Sequence, residues 1–182
     1  MLHISILNGL GSLYKNRECF VVGGGTSVNG FKFPENAIII NANLPKHGNQ
    51  VHLMVYADEC IDKSLTGEEN YISVGQQVKE LNYTPKKANY IFTRQDIPHV
   101  DSGYHALFIA SNILKFEKIS LIGIDYYADG ENVHYYDDPV SYKKRYESSL
   151  FKNVDKWQRD DFICRDIINY SEKSKLKVFP KV

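Results

Sequence analysis

The sequence predicts an α/β protein: a Rossmann-like, doubly wound, mostly parallel sheet flanked by helices. Three observations carry that expectation. Apolar runs of strand length recur along the chain. Most are continuous rather than alternating, as in strands buried on both faces. Between two of them lies a stretch with helical apolar spacing, so strands and helices alternate. With 182 residues, residues 1–182 are long enough for one domain with a sizeable core.

The first run, Cys19–Val22, leads into GGGTSVNG. Runs at Ala37–Ile40, Val51–Tyr56, Tyr71–Val74 and Ala88–Thr93 follow. In GYHALFIASNILKF, residues 103–116, Leu107, Ala110 and Leu114 form one helical stripe, with Ala106, Ile109 and Ile113 beside it. Ser102 is placed to cap this helix, its oxygen accepting a backbone N–H. The strand Ile119–Ile124 comes next and ends at Asp125. The stretch DYYADGENVHYYDDPVSYKK, residues 125–144, is polar and aromatic together and starts at a strand's carboxyl end. A second helix is expected from about Val154 to Ser171, ending in a Lys-rich turn that suits a helix C-terminus. A last strand is expected at Leu176–Phe179.

Composition excludes several functions. Lys+Arg and Asp+Glu balance at 22 each. A nucleic-acid or membrane-surface protein needs a basic excess, so neither partner is expected. No apolar run approaches the ~18 residues of a membrane span. The N-terminus lacks the basic start and apolar core of a signal peptide, so a cytoplasmic location is expected. Cys19, Cys60 and Cys164 are widely spaced, without a CxxC pair. They read as reduced thiols rather than as a zinc knuckle or a disulfide framework.

Gly23, Gly24 and Gly25 have two explanations. A βα turn can demand a backbone that only glycine adopts. Alternatively, bare N–H groups, with the Thr26 and Ser27 hydroxyls, cradle a phosphate. The stretch fits neither G-x-G-x-x-G nor a Walker A loop. Asp125 is either a loop-fixing carboxylate or a group that holds a ribose hydroxyl, a metal or a proton. Asp58 reads as a helix N-cap or a Mg²⁺ ligand. Glu59 and Asp62 read as a solvated helix face. His52 reads as structural or exposed, and His105 as packed. Trp157 is either a core anchor or a sugar-stacking ring.

The pairing of VVGGGTS with SGYHALFIASNILKFEKISLIGIDYYADG resembles the bacterial sialyltransferases of glycosyltransferase family 42. It equally resembles the pterin-pyrophosphokinase-like domain family of bacterial and phage proteins. The resemblance spans most of residues 18–136. It implies that the glycine turn, an asparagine after the second strand and the S-G turn bind a CMP-sugar. These positions are Gly23, Gly25, Ser27, Asn43 (or Asn41), Ser102 and Gly103, to which the phosphate reading of the turn adds Gly24 and Thr26. It implies that Tyr127 and Tyr135 stabilise the departing phosphate. His134 is then the first candidate for general base, followed by Asp125, since imidazole titrates near neutrality. The chain departs from the sialyltransferases in three places. Thr26 stands where proline is usual, His99 replaces an arginine, and KWQRDDF (156–162) stands where their general-base histidine lies.

The expectation is therefore a glycosyltransferase-like enzyme with a nucleotide-sugar donor, a glycan acceptor and no assigned metal. One alternative is a Mg²⁺-dependent nucleotide pyrophosphokinase. Another is a non-catalytic nucleotide- or sugar-binding module. A homo-oligomer is compatible with either.

Overall fold

A computed structural model describes residues 2–45, 50–65, 72–76, 84–93, 95–98, 100–125, 154–172 and 174–182. The elements are α1 (Leu2–Tyr14), β1 (Cys19–Val22), β2 (Ile38–Ala42), β3 (Leu53–Tyr56), α2 (Glu59–Ser64), β4 (Ile72–Gln76), β5 (Tyr90–Phe92), α3 (Ser102–Phe108), β6 (Lys118–Ile122) and β7 (Asp166–Asn169). The strands form one sheet in the order β5-β4-β3-β2-β1-β6-β7. Every neighbouring pair is parallel. The predicted α/β, doubly wound class is thus what the chain adopts.

Why these runs make a parallel sheet is visible in their burial. All residues of β1, β2 and β3 are buried. Successive side chains alternate between the two faces. Cys19 and Val21 join Ile38, Ile40, Leu53, Val55, Ile119 and Leu121 in the larger core, beneath Leu107, Ile109 and Ala110. Phe20 and Val22 enter a second cluster with Ile39 and Ile122. There Phe31 and Phe33 pack on Phe20, at 5.7 and 5.3 Å between ring centroids. The β1-to-β2 crossover carries only a short 3-10 turn, Thr26–Val28, so these two rings do the covering that a helix does elsewhere.

Several expectations change. The second helix is absent among the described residues of 154–171. A 3-10 turn spans Arg159–Asp161, and β7 then pairs with β6, Ile119 opposite Ile167. The run Leu176–Phe179 is not a strand, although Lys181 makes an isolated parallel bridge to Asn169. Asp101, not Ser102, is the N-cap of α3, its Oδ1 accepting from Tyr104 N at 2.9 Å. After Phe108 that helix widens into a π-helical turn, Ile109–Ile113. The wide turn lets Ser111 accept from Cys164 N, and Asn112 donate to Asp161 O and accept from Ile163 N.

Asp62 is buried rather than solvated. Its carboxylate accepts from the Tyr56 hydroxyl at 2.5 Å and from the Lys86 and Lys87 amides at 3.0 Å each. Glu59 does lie on an exposed face, paired with Lys63. Asp58 occupies the N-cap position of α2 without a side-chain capping bond. His52 is structural: its Nδ1 accepts from Ile39 N at 3.1 Å. Burial first, and then the Arg17 charge, hold its pKa below the usual histidine value. His105 is packed, as expected, with Nε2 against Pro98 O at 3.1 Å. Cys19 and Cys164 are buried free cysteines whose thiols burial pushes upward. No described helix is long and apolar enough to cross a membrane.

Candidate functional site

In an open α/β sheet the ligand crevice lies beyond the carboxyl ends of the strands, where the strand order reverses. Here the chain goes from β1 outward to β5 on one side and returns to β6 on the other. The reversal is between β1 and β6. The glycine turn leaves β1 there, and Gly123–Asp125 leaves β6 beside it. The two motifs picked out in the sequence therefore meet at the switch point.

The glycines are explained by what approaches them. Gly23 N donates to Ile122 O and Gly25 N to Gly123 O, each at 2.8 Å. A Cβ on Gly23 would stand 2.3 Å from Gly123 O. A Cβ on Gly25 would stand 2.3 Å from the Asp125 carboxyl. Gly123 itself has φ +74 and faces Gly23 O at 2.6 Å from its own missing Cβ. The turn is thus a joint between the β1 and β6 ends, and two of its amides are donated inside the protein.

Asp125 completes the joint. It is buried, and its Oδ2 accepts from Ser27 N at 3.0 Å while its Oδ1 accepts from Ser27 Oγ at 2.5 Å. A carboxylate donates nothing, so the one hydroxyl hydrogen of Ser27 is committed to it. Ser27 Oγ in turn accepts from Gly123 N at 2.9 Å. Ser171 Oγ lies 2.9 Å away and must be the donor of that contact. Of the two roles open to Asp125, loop fixing is the one these contacts describe. Asp125→Asn puts an NH₂ group opposite the Ser27 amide or hydroxyl donor. Losing a charged hydrogen bond in this setting costs about 2 kcal/mol. That loss is expected in urea titrations, with an unchanged m-value.

Gly103 reaches the same place from α3. Its missing Cβ would lie 3.0 Å from Ile124 Cδ1, and that of Gly23 2.7 Å from the same methyl. The glycine turn and the Ser102–Gly103 helix start therefore converge, with the buried Ile124 side chain packed between them. Ser102 is buried at the first helical position. Asn43 stands just past β2 in the left-handed region, φ +67, which asparagine tolerates better than most residues. Its amide N donates to Val55 O at 2.8 Å, and its side-chain Oδ1 is buried without a hydrogen-bond partner. The neighbouring Asn41 points its side-chain amide at Ala42 O and Asn43 O instead.

Tyr127, His134, Tyr135 and His99 lie outside the described residues. Trp157 is a core anchor: it is 1% exposed and its indole N–H donates to Asp101 Oδ2 at 3.3 Å. The sequence reading missed the segment from Asn169 to Lys175. Ser171 N donates to Asn169 Oδ1, Ser174 Oγ donates to Ile124 O, and Lys175 N donates to Asp125 O. Short polar residues after DIIN were the available signal, and they were absorbed into the expected helix. No family model, no curated protein and no solved structure matches the chain.

Proposed function

We propose that the protein is a glycosyltransferase-like enzyme that binds a nucleotide-activated sugar, a CMP-sugar, at the carboxyl edge of its sheet. The observation that supports this most is the meeting of Gly23–Ser27 and Ser102–Gly103 around Ile124, at the β1–β6 switch point. In this reading the nucleotide lies over the Ile124 side chain. Asn43, one strand away, offers a buried acceptor, Oδ1, that a ligand N–H or O–H would satisfy. Tyr127 and Tyr135 stabilise the leaving phosphate by hydrogen bonding. His134 takes the proton of a glycan acceptor.

Isothermal titration with CMP, UMP, GMP and ATP, each with and without Mg²⁺, tests the reading. CMP is expected to bind without metal, with a dissociation constant below about 1 mM, the upper end of usual substrate affinities. Absence of binding by every nucleotide sinks it. The Mg²⁺-dependent pyrophosphokinase reading has less support. Asp58 follows β3 and Asp125 follows β6, three strand spacings or roughly 14 Å apart. That reading places Mg²⁺ on one of the two, Asp58 or Asp125, and both Asp125 oxygens already accept from Ser27.

The non-catalytic reading is favoured by one observation: both Asp125 oxygens are already engaged by Ser27. Nucleotide binding with no CMP release from a CMP-sugar, and no effect of His134→Ala, would decide for it.

A further inference from the structure

We infer that His52 is a proton-sensitive rung between β2 and β3, and that acid frees the Ile39 amide and loosens the amino end of this strand pair. The inference does not depend on what binds at the carboxyl edge, since His52 precedes β3 at the opposite end of the sheet. The β2–β3 ladder begins with Ile40 opposite Leu53. One residue earlier, His52 N donates to Ile39 O at 2.9 Å. In a regular parallel ladder the Ile39 N–H would go to a main-chain carbonyl of the neighbouring strand. It goes instead to the His52 ring, at 3.1 Å from Nδ1.

A backbone N–H only donates, so Nδ1 carries the lone pair and the ring proton sits on Nε2. A doubly protonated ring has no acceptor to offer. Its Nδ1–H would face the Ile39 N–H, and the ring must swing away. Val51, the residue before His52, is buried with the Ile39 side chain in the second cluster. Release of the rung therefore also loosens Val51 from that core.

The surrounding charges set the direction. Neither β2 nor β3 carries a charged side chain, and the Tyr56 hydroxyl, at the far end of β3, donates to Asp62. Glu18 is engaged on the β6 side, accepting from Ser120 and pairing with Lys118. Among the described residues, the charge acting on the ring is that of Arg17. Arg17 is held in place by Asn36 O at 2.7 Å and by the Tyr14 ring at 5.6 Å. Burial first, and then this positive charge, favour the neutral ring. The rung is thus intact above the ordinary histidine pKa of about 6.5, and is lost as pH falls through the lower pKa of the folded state.

Amide hydrogen exchange of the full chain, followed by NMR across pH, tests this. Protection of the Ile39 amide, corrected for intrinsic exchange at each pH, is expected to fall about tenfold between about pH 7.5 and about pH 5.5, because each unit below about 6.5 disfavours the neutral ring by a further factor of about ten. Val21, buried in the central strand, is expected to keep its protection. His52→Asn sets an oxygen that does not titrate near the place of Nδ1, and Ile39 protection is expected to become flat with pH. Arg17→Gln is expected to move the loss to higher pH. Flat Ile39 protection in the wild type, or an equally steep fall in His52→Asn, overturns the inference. So does an equal loss at Ile39 and Val21, which marks global acid unfolding.

Discussion

Trp157→Ala is expected to be among the most damaging single substitutions, lowering stability by about 4 kcal/mol. Trp157 is the sole tryptophan and one of the largest fully buried side chains. Its ring packs against Tyr104 at 5.4 Å, Phe162 at 6.0 Å and Phe179 at 6.3 Å. These rings come from α3, from the residue after the 3-10 turn and from the C-terminal segment, so the indole packs three stretches together. Asp101 accepts from Trp157 and also caps α3. Tyr104 donates to Asp161 at 2.9 Å. Burial first, and then Asp161 as acceptor and negative neighbour, push the Tyr104 hydroxyl well above its ordinary pKa, so it stays a donor.

At roughly 3 °C per kcal/mol for a chain of this size, the melting temperature falls by about 12 °C. Trp157→Phe keeps a ring but loses the bond to Asp101, and should recover more than half of the loss. A shift below about 3 °C for Trp157→Ala would show that the cluster is not the anchor its packing indicates. Native tryptophan emission unmoved by added sugar would agree with burial; a change would reopen the stacking role.

How much of this was legible beforehand varied by element. The strands of the central sheet were, because Cys19–Val22 and its neighbours are apolar on both faces and only a covered parallel sheet buries both. β7 was not. Asp166–Asn169 is short and ends in a buried asparagine, and the apolar residues before it fall at spacings that also suit a helix. Buried Phe162 and Cys164 alternate with exposed Ile163 and Arg165, as in extended chain, but the apolar Ile163 hides that alternation in the sequence. Helix α1 was hidden by two glycines, Gly9 and Gly11, that lower helix propensity. Gly11 is there because a Cβ would stand 2.2 Å from Leu114 O, a contact between residues 103 apart in the chain. The location of the candidate site was legible, since both motifs follow strands that the fold rule places side by side. The partners of its donors were not. Ser27 meets Asp125 across 98 positions and Ser171 across 144. Nothing local predicts that an acid from β6 will occupy the turn after β1.

That joint also gives the second large effect, and it separates a structural from a conformational reason for glycine. Gly23→Ala is expected to cost about 3 kcal/mol, the upper part of the range for over-packing. Its Cβ would meet Gly123 O at 2.3 Å and Gly123 C at 2.8 Å. Those atoms are backbone at the end of β6, held by the Gly25 N–H to Gly123 O bond. They can retreat only by parting the β1 and β6 ends. The Ile124 methyl at 2.7 Å can rotate; the carbonyl cannot. Gly30→Ala is the control, because Gly30 has φ +76 and open space around its missing Cβ. There only the left-handed backbone is penalised, by about 1 kcal/mol. If glycine were needed in this loop for flexibility alone, the two substitutions would cost alike. If close approach of β6 is the reason, Gly23→Ala costs about three times as much, and denaturant melts of the two variants measured side by side decide between them.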